Sequence, residues 1–365
     1  MGLQCGIIGI TNSGKTTIFN CLSGTKGETS AFAFSTTKSN TGIIQVPDPR
    51  LYELEKRQVT EKIVHTTVNI VDIPGLTKGA NRGEGVGNKF LADIRNTDAL
   101  IHVLRCFDDD SLPHIEGSVD PVRDIETVDL ELQVKDLESV EKKIERLNRA
   151  VKTGDKEAKR GIEVLSRFRD HLENMNNART LDMGDEEKKY VDDLFLLTMK
   201  PVMFVCNVDD KSVISGNRYV EQVKEYLNAS NAGVLVIAGK LEAEIAELEN
   251  RDDRLAFLAD AGLEEPGVDK LVRSAYDMLN LLTFFTVGPK EIRAWTIRKG
   301  MTAQQAAGVI HSDLERGFIR AEVMKYKDFV TLGSEHACRE AGKFYIEGKN
   351  YIVEDGDIMH IRFNV

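Results

Sequence analysis

Gly9-Ile10-Thr11-Asn12-Ser13-Gly14-Lys15-Thr16 follows the apolar run Gln4-Cys5-Gly6-Ile7-Ile8 and precedes a segment whose apolar residues, Ile18, Phe19, Cys21 and Leu22, have helical spacing. The stretch matches G-x-x-x-x-G-K-[ST] between a strand and a helix, the context this phosphate-binding motif requires. Its glycines let the backbone curl so that N–H groups face an anion, and the helix N-terminus adds partial positive charge. Lys15 is expected to reach the β and γ phosphates of a nucleoside triphosphate, and the Thr16 hydroxyl to ligate Mg²⁺. Asn12, Ser13, Gly14, Lys15, Thr16 and Thr17 are the candidate phosphate contacts of this loop.

Working outward, the apolar strand Thr66 to Ile73 carries Asp72 at its end and is followed by Pro74-Gly75. A carboxylate at a strand end followed by glycine suits a second Mg²⁺ position at Asp72, with the Gly75 N–H sensing the γ-phosphate. Between the two motifs lies Ser35-Thr36-Thr37, where Thr36 is the hydroxyl chosen to complete the metal shell. A further strand, Pro201 to Cys206, leads into Asn207-Val208-Asp209-Asp210, where GTPases carry N-K-x-D to read guanine. Val208 replaces the lysine, and Asp210 keeps an acid at the fourth position. Ala238, Gly239 and Lys240 sit where a short turn would pack on the base edge.

The 365 residues allow two or three domains, and 41% hydrophobic with 29% charged residues is an ordinary globular balance. A net charge of −11 excludes nucleic-acid binding by bulk charge; no direct sequence-specific DNA binding is expected. Cys5, Cys21, Cys106, Cys206 and Cys338 show no C-x-x-C spacing and read as free thiols of a reducing compartment. No apolar run reaches the length of a membrane span and no leader pattern opens the chain, so the expected location is the cytoplasm. Strands at Ala99 to Cys106 and Gly233 to Ala238 complete a mostly parallel α/β sheet. From about 127 to 198, Leu130, Val134, Leu137, Val140, Ile144, Leu147 and Val151, then Ile162, Leu165, Phe168, Leu172 and Met175, predict an antiparallel coiled-coil hairpin broken at 152–156. From Leu281 onward, short strands alternate with helices near Ala303–Ile310 and Ser334–Ala341, as in a small α+β domain.

Together these residues resemble the YchF family, also called Obg-like ATPases. The resemblance runs through Asp72-Ile73-Pro74-Gly75-Leu76-Thr77-Lys78-Gly79-Ala80, Gly83-Glu84-Gly85-Val86-Gly87-Asn88-Lys89-Phe90-Leu91, Pro47-Asp48-Pro49-Arg50-Leu51 and Val103-Leu104-Arg105-Cys106-Phe107. It extends through Gly308-Val309-Ile310-His311-Ser312-Asp313 to Arg316-Gly317-Phe318-Ile319, which is similar to a TGS domain. It implies a GTPase-like P-loop domain (1–127 and 199–280), a coiled-coil insertion (128–198) and a β-grasp TGS domain (281–365). Leu76 occupies the place of the glutamine that orients the attacking water in Ras-like GTPases. The resemblance implies that His114, on a mobile loop, acts in its stead, with Lys15 and Gly75 as the other catalytic groups. It further implies that Asn12 helps hold K⁺ beside the phosphates. The chain departs from the family at Asp210 (usually Glu), at Thr11 (usually Pro) and at Ser35 (often Cys). The expected function is a slow, Mg²⁺-dependent hydrolase that prefers ATP and docks on the ribosome. GTP or dual specificity, and a nucleotide-gated binding module whose hydrolysis is incidental, stand as alternatives.

Overall fold

The computed structural model describes residues 3–24, 40–74, 86–228, 232–248 and 250–364, with backbone only at 86–89 and 251. The chain forms two compact units, one of Met1–Gly42 and Asn69–Leu271, the other of Ile43–Val68 and Val272–Val365.

The first unit is built on strands β1 (Gln4–Ile8), β2 (Asn40–Gln45), β4 (Thr67–Asp72), β5 (Ala99–Arg105), β6 (Val202–Asn207) and β7 (Val234–Ile237); β3 (Ile63–Val64) belongs to the other sheet. Their order is β2-β4-β1-β5-β6-β7, and β1 pairs in parallel with β4 and β5, as do β5 with β6 and β6 with β7. Every residue of β5 is buried, as expected for a central parallel strand covered on both faces. This is the α/β fold of P-loop GTPases. The P-loop helix, Lys15–Ser23, follows β1.

The helical insertion begins earlier than the periodicity predicts. Pro121 occupies the first turn and Asp120 caps it, its carboxylate accepting from the Arg123 N–H, and the helix runs Pro121–Val151. A second helix, Lys156–Glu173, is capped by Asp155, which accepts from the N–H groups of Glu157 and Ala158. The break expected at 152–156 is the turn between them. The predicted seam, however, is wrong at its start. Leu130 is 42% and Val134 38% exposed, whereas Val128 and Leu132 are buried with Ile8, Ile10, Val71 and Leu100. The first half of the long helix packs on the sheet, so the buried stripe there follows the sheet face. From Leu137, Val140 and Ile144 onward it packs with Val164, Leu165 and Phe168 of the second helix.

The second unit holds strands β8 (Leu281–Val287), β9 (Ile292–Arg298), β10 (Phe318–Lys325), β11 (Tyr345–Glu347) and β12 (Asp357–Phe363) in the order β11-β10-β12-β8-β9-β3. The helix Ala303–Ile310 opens with a capping box from Thr302 and Gln305 and buries Ala303 and Ala306 against Phe284, Ile297, Val323 and Met359.

The structure corrects the expected partition in one respect. The segment from Pro49 to Val64, read from sequence as part of the nucleotide domain, folds with the C-terminal segment. β3 pairs in parallel with β9, and Leu51 and Leu54 are fully buried with Phe285, Ile292, Phe329 and Ile358. The Pro47–Leu51 signature has a physical role here. Asp48 caps the helix Pro49–Glu55, and Arg50 bridges Asp48 at 2.8 Å and Asp355 at 2.6 Å. The sequence signal missed was tertiary, because a short helix alone does not reveal which core receives it. Leu54→Ala should therefore destabilise the C-terminal unit by about 2–5 kcal/mol. Trp295 on β9, the single tryptophan, supplies the readout. Its fluorescence transition in urea should move to lower denaturant, and an unmoved transition would contradict the assignment.

Candidate functional site

The phosphate loop is shaped by close backbone approach. Gly9 has φ +146°, and a Cβ there would stand 2.4 Å from the Val103 carbonyl oxygen on β5. Gly14 has φ +95°, and a Cβ there would stand 2.1 Å from the Asn207 side-chain nitrogen. Neither position admits a side chain. Asn12 also adopts a left-handed φ of 64°, which asparagine tolerates better than most residues. The helix Lys15–Ser23 starts at Gly14 with no side-chain cap among the described residues. Its first N–H groups are therefore available to an anion.

Lys15 and Thr16 emerge from that first turn. Lys15 is buried, and its Nζ donates to the Ile10 carbonyl at 2.7 Å. Burial lowers its pKa to about 8, with Asp72 opposing the shift. The Thr16 hydroxyl donates to Asp72 Oδ2 at 3.1 Å. Burial raises the Asp72 carboxyl above the usual carboxylate range, and Lys15 is the largest opposing influence. Asp72 Oδ1 and Ser13 Oγ are buried with no hydrogen-bond partner among the described residues. Asp72 Oδ1, left over on the carboxylate that already accepts from the Thr16 hydroxyl, is with that hydroxyl the kind of hard oxygen donor that Mg²⁺ takes. The residues present thus fit the metal that this fold implies. Thr36 and Gly75 lie outside the described residues, as does Leu76.

Asn207 closes the loop from the far side. Its Nδ2 donates to the Ser13 carbonyl at 2.9 Å, and its Oδ1 accepts from the Gly239 N–H at 2.9 Å. Both ends of the amide are engaged by backbone, so Asn207, expected as a base contact, fastens the phosphate loop to the Ala238–Lys240 turn. Val208, also expected at the nucleotide, is 3% exposed and packs with Cys106, Tyr219 and Ala238; its side chain is core. Asp209 caps the turn that follows, accepting from the N–H groups of Lys211 and Ser212. Asp210 and Lys240 have exposed side chains, while Ala238 and Gly239 are buried.

His114 does not stand ready for a water molecule in this structure. Its side chain is 3% exposed. Nε2 lies 3.2 Å from Asp124 Oδ2, and Nδ1 accepts from the Glu116 N–H at 3.1 Å. The loop it belongs to touches the phosphate loop, since Asn12 Nδ2 donates to the Pro113 carbonyl at 3.0 Å. Two residues of this region have roles that the sequence does not assign. Arg105, fully buried at the end of β5, donates to the carbonyls of Phe107 (3.2 Å), Leu112 (2.8 Å) and Asp109 (3.1 Å). An arginine in an otherwise apolar strand was a legible signal. Asp124, in the first turn of the long helix, carried none.

If Asn207 fastens loops rather than reading the base, Asn207→Ala should weaken ATP and GTP by the same factor. Leaving the Ser13 carbonyl and the Gly239 N–H without partners costs about 1–3 kcal/mol, or roughly 5- to 150-fold in affinity. Displacement of a fluorescent nucleotide by each triphosphate measures both. A loss confined to GTP would mean that Asn207 reads guanine.

A family model described as "50S ribosome-binding GTPase" matches residues 4–162, and one named YchF-GTPase_C, described as a protein of unknown function, matches residues 281–364. The chain is 46% identical to "Ribosome-binding ATPase YchF" of Haemophilus influenzae over 365 residues, covering all of both chains. It is likewise 46% identical to the protein of that name from Bacillus subtilis, again over the whole of both. Among solved structures, "Structure of the Schizosaccharomyces pombe YchF GTPase" superposes with a TM-score of 0.87 at 33% identity, covering 99% of this chain and 98% of that one. With full-length identity at this level and a YchF structure of the same fold, the chain belongs to the YchF family.

Proposed function

We propose that this protein is a Mg²⁺-dependent ATPase that binds the ribosome and turns over slowly, as a regulatory switch in the cytoplasm. The observation that carries the chemistry is the joint placement of an uncapped helix N-terminus, buried Lys15 and the Thr16–Asp72 pair. Lys15 exchanges the Ile10 carbonyl for the β and γ phosphates, and Asn12, Ser13, Gly14, Thr16 and Thr17 line the same anion site. Thr16 and Asp72 would hold Mg²⁺, which neutralises phosphate charge as it develops. Thr36 would complete the shell and the Gly75 N–H would sense the γ-phosphate. With Leu76 at the usual glutamine position, slow turnover follows, and His114 is the group that orients the water. K⁺ beside Asn12 is part of the same reading.

The preference for ATP rests on the base-reading loop. The lysine of N-K-x-D is replaced by Val208, whose side chain is core, and the relatives from H. influenzae and B. subtilis bear the name of an ATPase. Ribosome binding rests on those names and on the description of the N-terminal family model. ATP should displace a fluorescent nucleotide at lower concentration than GTP, and purified ribosomes should raise turnover. A GTP preference of tenfold or more, about 1.4 kcal/mol, would overturn the base assignment. The pH dependence is a separate check. Lys15 has a pKa of about 8 in the nucleotide-free protein, so below pH 8 it meets the phosphates already charged. Above pH 8 binding must take up a proton, and affinity should fall by up to roughly tenfold per pH unit. A pH-independent affinity between 7 and 9.5 would mean that Lys15 does not contact the triphosphate.

A further inference from the structure

The His114 loop is held at both ends and also at Ser118, whose hydroxyl and carbonyl accept from Arg123 Nη1 (3.2 Å) and Nη2 (2.5 Å) on the long helix. At its start, Arg105 gathers the carbonyls of Phe107, Asp109 and Leu112, and its guanidinium lies 5.0 Å from the centroid of the Phe107 ring. At its end, Asp120 caps the long helix. Between them, residues 113–119 carry one internal turn, in which the Gly117 N–H donates to the His114 carbonyl at 3.0 Å with Gly117 at φ +79°. His114 is tied to the helix by its ring alone. An Nδ1 that accepts from the Glu116 N–H leaves the ring proton on Nε2, facing the Asp124 carboxylate. A ring with both nitrogens engaged and 3% exposure can neither donate to nor accept from a water beside the γ-phosphate.

We propose that Asp124 is a positioning residue that latches His114 in a resting orientation, and that hydrolysis requires the ring to leave it. The proposal rests on the reading of His114 as the group that orients water. Asp124 suits a latch that can open. It sits on the rigid first turn of a 31-residue helix, so the loop is the part that moves. Its other oxygen, Oδ1, lies 3.6 Å from Arg123 Nη2, so its charge keeps a partner when the imidazole departs. Asn12 links the latch to the phosphate loop. Its amide now donates to the Pro113 carbonyl, one residue before His114, and drawing Asn12 toward bound phosphate or its cation would release that carbonyl. The latch thereby makes slow resting turnover a property of the protein's ground state rather than only of the missing glutamine.

The test is single-turnover hydrolysis of Mg²⁺–ATP by the full chain, its Asp124→Asn and His114→Ala variants and the double variant. Asp124→Asn should raise the rate by roughly 3- to 10-fold, the population shift expected on losing one charge-assisted hydrogen bond. His114→Ala should lower it by roughly 10²-fold, and the double variant should match His114→Ala. If His114→Ala is slow but Asp124→Asn is no faster than the parent, the latch is overturned and the reading of His114 stands. If His114→Ala hydrolyses like the parent, that reading falls and the latch with it. Modification of histidines by diethylpyrocarbonate, read by peptide mass spectrometry on the unaltered nucleotide-free protein, tests the same point without a variant. His114 should react far more slowly than His336, whose side chain is 83% exposed; equal rates would overturn the latch.

Discussion

The site depends on one constraint, the absence of a side chain at Gly14. The space a Cβ would take there is filled by the Asn207 amide, which holds the Ser13 carbonyl on one side and the Gly239 N–H on the other. That crossing joins the first βα connection of the sheet to the two that follow β6 and β7. It fixes where the helix N-terminus points, and so where Lys15 and Thr16 can meet Asp72 on the neighbouring strand β4. Gly9 meets the same demand one turn earlier, against the Val103 carbonyl of β5. The anion site is thus an outcome of strand order. β1 lies between β4 and β5, which brings the end of β1 beside Asp72, and the next strand, β6, carries Asn207.

The electrostatics follow from that packing. Burial disfavours charge on Lys15 and Asp72 alike, and each offsets part of the penalty for the other. His102 on β5 stays neutral, its pKa lowered to about 3 chiefly by burial and also by Lys15. On the proposed reading, the phosphates would give Lys15 a full partner, and Mg²⁺ would give Asp72 Oδ1 one.

Much of this was legible in the sequence because the signals are local. The phosphate loop announces itself through Gly9, Gly14, Lys15 and Thr16, and Asp72 through its place at the end of an apolar strand. A strand such as Ala99–Leu104, apolar but for His102, can scarcely be anything but central. What was not legible depends on which surface an element meets. Leu130 and Val134 keep a heptad phase, yet the sheet lies against Val128 and Leu132. Leu51 and Leu54 follow the nucleotide motifs in sequence but belong to a core built from residues after Leu271. His114 was found by resemblance, while its partner Asp124 lies ten residues on, in an unremarkable helix turn. At Asn207 the motif position does not say that both ends of the amide are engaged by backbone.

The central claim is that this phosphate loop, as shaped around Gly14, is the triphosphate site. Calorimetric titration of a slowly hydrolysed ATP analogue with Mg²⁺ into the Gly14→Ala protein tests it most directly. The added methyl would meet the Asn207 amide and require a φ that alanine avoids. The account predicts that binding heat disappears while the Trp295 unfolding transition stays that of the parent. Parent-like affinity in that variant would contradict it.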